Sequence, residues 1–86
     1  MLDPQDFPNA IAFAFEAVGG IRAAAKICGR SCQALNKWRL AASLPRTDYT
    51  GETEYALLLS GAAKQKGNPF DASWLLDKSA PHRNVM

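Results

Sequence analysis

The chain has 86 residues, a formal net charge of +2 at neutral pH and a 48% share of hydrophobic residues. This length fits one domain with a small core, and the composition excludes a collagen-like or intrinsically disordered chain. No apolar run reaches the roughly 18–20 residues of a membrane-spanning helix, and the acidic N-terminal stretch does not resemble a signal peptide. Two cysteines, Cys28 and Cys32, are too few for a disulfide framework, and a bridge four helical residues long is unfavourable. We therefore expect a reduced, cytoplasmic protein with no membrane partner.

The charged residues are segregated along the chain. Residues 1–19 carry three acidic residues and no basic one, whereas residues 20–46 carry six basic residues and no acidic one. Such a block of one sign is typical of a surface that binds phosphate groups. A solvated basic face would have the same composition, so the charge pattern needs support from the local motifs.

Glycine and proline divide the chain into short segments with helical periodicity, and no alternating strand pattern is present. The first helix is expected from residue 7 or 8 to residue 18, with Asp6 as its N-cap and an apolar stripe of Ile11, Phe15 and Val18. Four further helices are predicted at about residues 21–28, 31–41, 51–66 and 70–78, with a loop at residues 43–50. The prediction is an all-α bundle of four to five short helices, with one domain at residues 1–79 and a flexible tail at residues 80–86.

Two predicted helices are joined by a constrained turn. Ala25 is small enough to allow a close helix crossing, and Gly29, four residues later, can adopt the left-handed conformation that a tight turn requires. Apolar residues follow at positions 35 and 38. This spacing predicts a helix-turn-helix motif over about residues 21–40, which supports the phosphate-binding interpretation of the basic block.

Helical wheels assign the faces of these two helices. The inward face of the first comprises Ala24, Ala25 and Cys28. On the second, the residues expected to be buried are Ser31, Ala34, Leu35 and Trp38, and the opposite arc holds Gln33, Asn36, Lys37 and Leu40. Trp38 is expected to pack in the core rather than to stack on single-stranded bases.

The opposite arc has the chemistry of DNA recognition. Glutamine and asparagine can pair with the N6 and N7 atoms of adenine, and lysine can reach the acceptors of guanine. We therefore predict Gln33, Asn36 and Lys37 as base-reading residues in a major groove. The basic residues expected to contact phosphates are Arg22, Lys26, Arg30, Arg39 and Arg46.

The run GGIRAAAKICGRSCQALNKW, from Gly19 to Trp38, resembles the helix-turn-helix of phage Cro and CI repressors. Its GG-xx-A-x-A…G-x-S-x-Q-A-x-x-K-W form is most similar to Cro-like and YdaS-like prophage regulators. The continuation LPRTDYTGETEYA also looks like phage-encoded members, so the resemblance covers about residues 18–56. It implies a lambda-repressor-like fold, operator binding and control of transcription without a cofactor.

By position, the resemblance also makes Gln33, Asn36 and Lys37 the base-reading residues, and it places Ser31 as a helix cap or a phosphate contact. Two positions depart from the pattern. Arg30 stands where an apolar residue is usual, and Cys32 occupies a position that is often polar and faces the bases. These departures concern the contacts with DNA and not the motif itself.

Other interpretations of the same sequence are possible. The chain could be the antitoxin of a toxin–antitoxin pair, or a protein–protein adaptor that uses the same fold. A metal site is not expected, because Cys28, Cys32 and His82 lack a second close pair of ligands. No catalytic site or small-molecule substrate is expected either, since the acidic residues at positions 48, 52 and 54 fit the start of a helix.

A homodimer is expected, at least on DNA, because two copies would place two recognition helices in successive major grooves. Leu57 lies opposite the predicted inner face of the fourth helix, which comprises Tyr55, Leu58, Leu59, Ala62 and Ala63. The candidate dimer surface consists of Leu57, Trp74, Leu75 and Leu76.

Overall fold

The computed structural model describes residues 2–80, and this range contains one 3-10 helix, Pro4–Asp6, and six α-helices. The α-helices are α1 Ala10–Ala17, α2 Ile21–Cys28, α3 Cys32–Ala41, α4 Arg46–Thr50, α5 Tyr55–Gln65 and α6 Ala72–Ser79. The all-α prediction is confirmed, with one helix more than expected. None of the helices within residues 2–80 is long and apolar enough to cross a membrane. The predicted tail lies outside the described residues except for Ala80.

Helix α1 is the centre of the bundle and contacts α2, α3, α5 and α6. The predicted stripe is confirmed, since Ile11, Phe15 and Val18 are all buried. Burial extends further around the helix than a single stripe, because Phe13 on another face packs edge-on against Phe70 and Trp74, with ring centroids 5.9 and 5.6 Å away. A helix buried on most sides needs small and aromatic residues rather than an amphipathic pattern.

The start of α1 differs from the prediction, in which Asp6 is the N-cap. Asp3 instead caps the preceding 3-10 helix by accepting a hydrogen bond from the Gln5 amide. The N-cap of α1 is Asn9, which has an extended backbone and whose Oδ1 accepts from the Ala12 amide at 2.8 Å. The short side chain of Asn9 makes it as good a cap as aspartate.

The predicted loop at residues 43–50 is also wrong, because a short helix, α4, occupies its second half. Pro45 restricts only the residue before it, and its own fixed φ of −61° suits the position just ahead of a helix. Gly51, with φ of 89°, ends α4. Helix α5 therefore begins at Tyr55, four residues later than predicted.

A buried carboxylate, and not the predicted Thr50, satisfies the first amides of α5. Asp48 Oδ1 accepts from the Tyr55 amide at 2.7 Å and from Thr53 Oγ1 at 2.8 Å, and Oδ2 accepts from the Ala56 amide at 3.0 Å. This negative charge at a helix N-terminus is favourable. It agrees with the expectation that acidic residues here belong to a helix start.

The burial of α5 and α6 corrects two residues of the sequence prediction. Leu58 was assigned to the inner face of α5 but is 48% exposed, because the buried face comprises Ala56, Leu59 and Ala63. Leu75 was assigned to a dimer surface but is completely buried. The candidate surface that combines Leu57 with Leu75 is therefore wrong.

Candidate nucleic-acid interface

The turn between α2 and α3 has the geometry that its sequence predicts. Gly29 adopts a left-handed conformation, with φ of 68° and ψ of 32°. Its amide donates to the Lys26 carbonyl at 3.3 Å, and the Arg30 amide donates to the Ala25 carbonyl at 3.0 Å. A Cβ at Gly29 would meet no described atom within 4 Å, so the position requires glycine for its backbone conformation and not for space.

The two helices of the motif are held at a fixed crossing by small buried residues. Ala24, Ala25 and Cys28 are buried on α2 as predicted, and Leu35 is the fully buried residue of α3. Ser31 is exposed rather than buried, because its hydroxyl accepts a hydrogen bond from the Ala34 amide at 3.1 Å and so caps α3.

Trp38 anchors the back of α3, although it is half-buried rather than enclosed. Its ring packs against Tyr55 at the start of α5, with ring centroids 5.1 Å apart. This contact joins the motif to the rest of the bundle and supports the expectation that Trp38 has a packing role.

The outward face of α3 consists of Gln33, Lys37 and Leu40, all exposed. These residues are three or four positions apart and therefore lie side by side along the helix. Leu40 is 73% exposed. The face thus presents one amide, one ammonium group and one apolar side chain to solvent.

Asn36 lies at the edge of this face and is half-buried. Its Oδ1 accepts a hydrogen bond from Arg39 Nη2. Both side chains border a groove that also includes Phe7 and Ile21, so they point towards the starts of α1 and α2. Arg39 therefore fixes the orientation of the Asn36 amide.

The predicted phosphate-contacting residues are distributed around the motif. Arg22, Lys26, Arg30 and Arg46 are exposed, and Arg39 is half-buried. One further basic residue is brought to this region by the fold. Lys66, at the end of α5, borders the same groove as Lys26 and lies over Gly19, where its Nζ would be 3.9 Å from a Cβ.

The two cysteines have different environments. Burial raises the pKa of the Cys28 thiol to about 11, and the negative charge of Asp48 adds to this effect. Cys32 is exposed at the start of α3. Because the turn separates them, the two residues are not four apart on one helix as expected, and both thiols are free.

No three histidine, cysteine, aspartate or glutamate side chains within residues 2–80 lie close enough together to hold a metal ion. His82, which the sequence analysis considered as a ligand, lies outside the described residues.

The fold and the site define a helix-turn-helix domain, because a left-handed glycine joins two packed helices and the second turns a polar face outward. The chain is similar to the 8.4 kDa cro protein of Escherichia phage HK022, with 45% identity over 49 residues. The matched segment covers 57% of this chain and 60% of the phage protein. This match confirms the resemblance to phage Cro-like regulators, with which the all-helical fold is compatible. No family model and no solved structure matches the chain.

Proposed function

We propose that this protein binds a specific double-stranded operator DNA and regulates transcription, as a Cro-like repressor. The observation that carries the proposal is the outward face of α3, where Gln33 and Lys37 stand exposed on a helix of the size that fits a major groove. The similarity to a phage Cro protein supports it. The protein acts by binding alone, without a cofactor, a small-molecule substrate or a catalytic step.

Base recognition is assigned to three residues of α3. Gln33 pairs with the N6 and N7 atoms of an adenine, and Lys37 donates to the acceptors of a guanine. Asn36 reads a base at the edge of the contact, where its bond from Arg39 orients the amide before DNA arrives. Leu40, on the same face, offers the apolar contact that suits a thymine methyl group.

Phosphate contacts fix the position of α3 in the groove. They are assigned to Arg22, Lys26, Arg30, Ser31, Arg39 and Arg46, with Lys66 as an addition from the structure. The first acidic residue after the basic block, Asp48, is buried and directed at the amides of α5. Its charge is therefore kept away from a duplex that approaches the block.

A homodimer is the proposed binding form. Two copies related by a two-fold axis would place their α3 helices in successive major grooves, roughly 34 Å apart. The operator is then palindromic or nearly so, since its symmetry follows that of the protein.

Selection of bound duplexes from a random pool, followed by sequencing, tests the proposal. We expect a palindromic motif to be enriched. If no duplex is retained even at low salt, the proposal is wrong and the adaptor interpretation is favoured.

The role of the basic residues is tested by salt dependence. Lys26→Ala should weaken binding to all duplexes similarly and flatten the slope of affinity against salt concentration. Lys78→Ala, which removes an exposed lysine of α6, is the matched control and should leave the slope unchanged. Equal slopes for wild type and Lys26→Ala would contradict the assignment.

A further inference from the structure

Helix α5 presents an apolar face to solvent that nothing in the bundle covers. No charged residue occurs between Tyr55 and Ala63. On this stretch Leu57 is 57% exposed and Leu58 is 48% exposed, opposite the buried face of the helix. Adjacent exposed leucines on an uncharged helix are characteristic of a contact surface rather than of a solvated face.

Gly61 lies at the centre of this face and has no structural reason within the chain. It is exposed in the interior of α5. The other five glycines, all in the described part of the chain, have positive φ, but Gly61 does not. A Cβ at Gly61 would meet no described atom within 4 Å. Alanine would favour the helix at such a position, so glycine is explained only if another surface approaches the backbone closely.

The charges at the ends of the face identify that surface. At 100° per residue, Glu54, Leu57, Leu58, Gly61 and Lys64 fall within one arc of about 120°, with Gly61 near its centre. The acidic residue precedes the leucines and the basic residue follows them, and both are exposed. The face is therefore complementary to itself when two copies run antiparallel.

We propose that α5 is a self-association surface, on which two copies of this chain pack antiparallel about a two-fold axis near Gly61. In this arrangement Leu58 of each copy fits over the Gly61 backbone of the other. Glu54 of each copy lies within reach of Lys64 of the other. A parallel arrangement would instead bring like charges together. The surface lies on a different helix from the outward face of α3, and its existence does not depend on DNA binding.

Sedimentation equilibrium of the full chain without DNA tests this surface. We expect the wild type to dimerise and Leu58→Glu to weaken dimerisation by about tenfold or more, because the substitution buries an unpaired charge. Leu40→Glu is the matched control, since Leu40 is an exposed leucine on α3, and it should leave the dimer intact. A monomeric wild type, or equal effects of the two substitutions, would overturn the proposal.

Gly61→Ala separates the surface from the stability of the fold. In the monomer the new methyl group enters open space and favours the helix, so the melting temperature at low protein concentration should rise. The same methyl group should weaken self-association, because it separates the two backbones. A higher melting temperature with unchanged self-association would overturn the close crossing at Gly61.

A charge exchange tests the antiparallel direction. Glu54→Lys and Lys64→Glu should each weaken the dimer, and the double variant should restore it. If the double variant associates no better than either single variant, the antiparallel pairing is wrong.

Discussion

The side chain of Asn9 bonds to the backbone of Arg39, with Nδ2 donating to the carbonyl oxygen at 3.1 Å. The same amide caps α1, because its Oδ1 accepts from the Ala12 amide. One side chain thus satisfies the first turn of α1 and one of the last carbonyls of α3. The direction of the proposed recognition helix is therefore tied to the central helix of the bundle.

The two bonds of Asn9 can be separated by substitution. Asn9→Ala should cost about 1–2 kcal/mol of stability, because it removes the cap and leaves the Arg39 carbonyl without this donor. Asn9→Ser keeps a capping hydroxyl but cannot reach Arg39, so it should cost less. Urea unfolding measures both. We expect both variants to weaken duplex binding similarly, and wild-type binding by Asn9→Ser would mean that Asn9 acts only as a cap.

The carboxylate of Asp48 organises the start of α5. Asp48→Ala should destabilise the protein by at least about 2 kcal/mol, because it leaves two amides and the Thr53 hydroxyl without their acceptor. Glu52→Ala is the matched control, since Glu52 is exposed, and it should change stability by no more than about 0.5 kcal/mol. Equal losses on urea unfolding would contradict this assignment.

The C-terminus of α3 contains a local strain that one substitution can relieve. Ala42 has φ of 60° and is the one non-glycine residue with positive φ among the described residues. Because this conformation costs roughly 1–2 kcal/mol for an L-residue, Ala42→Gly should raise stability by up to about 1 kcal/mol after the entropy of the unfolded glycine is counted.

A neighbouring substitution gives the opposite sign and serves as the control. Ala41 is exposed and lies within α3, so Ala41→Gly should lower stability by about 1 kcal/mol. Thermal unfolding distinguishes the two. If both substitutions lower the melting temperature, the left-handed conformation at Ala42 is not a source of strain.

The two thiols should differ in reactivity. Cys32 is exposed and should react quickly with a thiol reagent at neutral pH. Cys28 is buried and its raised pKa keeps the thiol protonated, so it should react only when the protein unfolds. Cys28→Ala and Cys32→Ala assign the fast and slow phases, and a fast phase that survives in Cys32→Ala would contradict the assignment.

Cys28 also contributes to the pH dependence of stability. The pKa of its thiol is raised from 9.0 in the unfolded chain to about 11 in the fold, so the folded state binds the proton more tightly. Its contribution is therefore intact below pH 9 and is lost as the pH rises towards 11. Urea unfolding across this window should show a steeper loss for wild type than for Cys28→Ala, and parallel losses would contradict the shift.

The motif could be predicted from the sequence because its determinants are local. Gly29, Ser31 and the small residues of α2 act within a few positions of themselves, and their conformations are as expected. The start of α5 could not be predicted, because Asp48 bonds to amides seven and eight positions away. The cap at Asn9 and the position of Lys66 depend on contacts that form only when distant helices meet.

The faces of the outer helices show a second limit. A wheel gives the spacing of residues correctly, but the phase of the buried arc depends on which neighbours pack against the helix. Leu58 and Leu75 were assigned to the wrong side for this reason. The three base-reading residues share one arc on the wheel, yet only Gln33 and Lys37 face fully outward, because Asn36 is turned towards α1 and bonded by Arg39.

The most direct test of the central claim is the affinity of the selected duplex for wild type, Gln33→Ala and Gln5→Ala, measured by fluorescence anisotropy. Gln5→Ala is the control, because Gln5 is an exposed glutamine outside the motif. We expect Gln33→Ala to cost about 1–3 kcal/mol at the preferred site and to relax discrimination there, with no change for Gln5→Ala. Wild-type affinity and discrimination in both Gln33→Ala and Asn36→Ala would contradict base reading by α3.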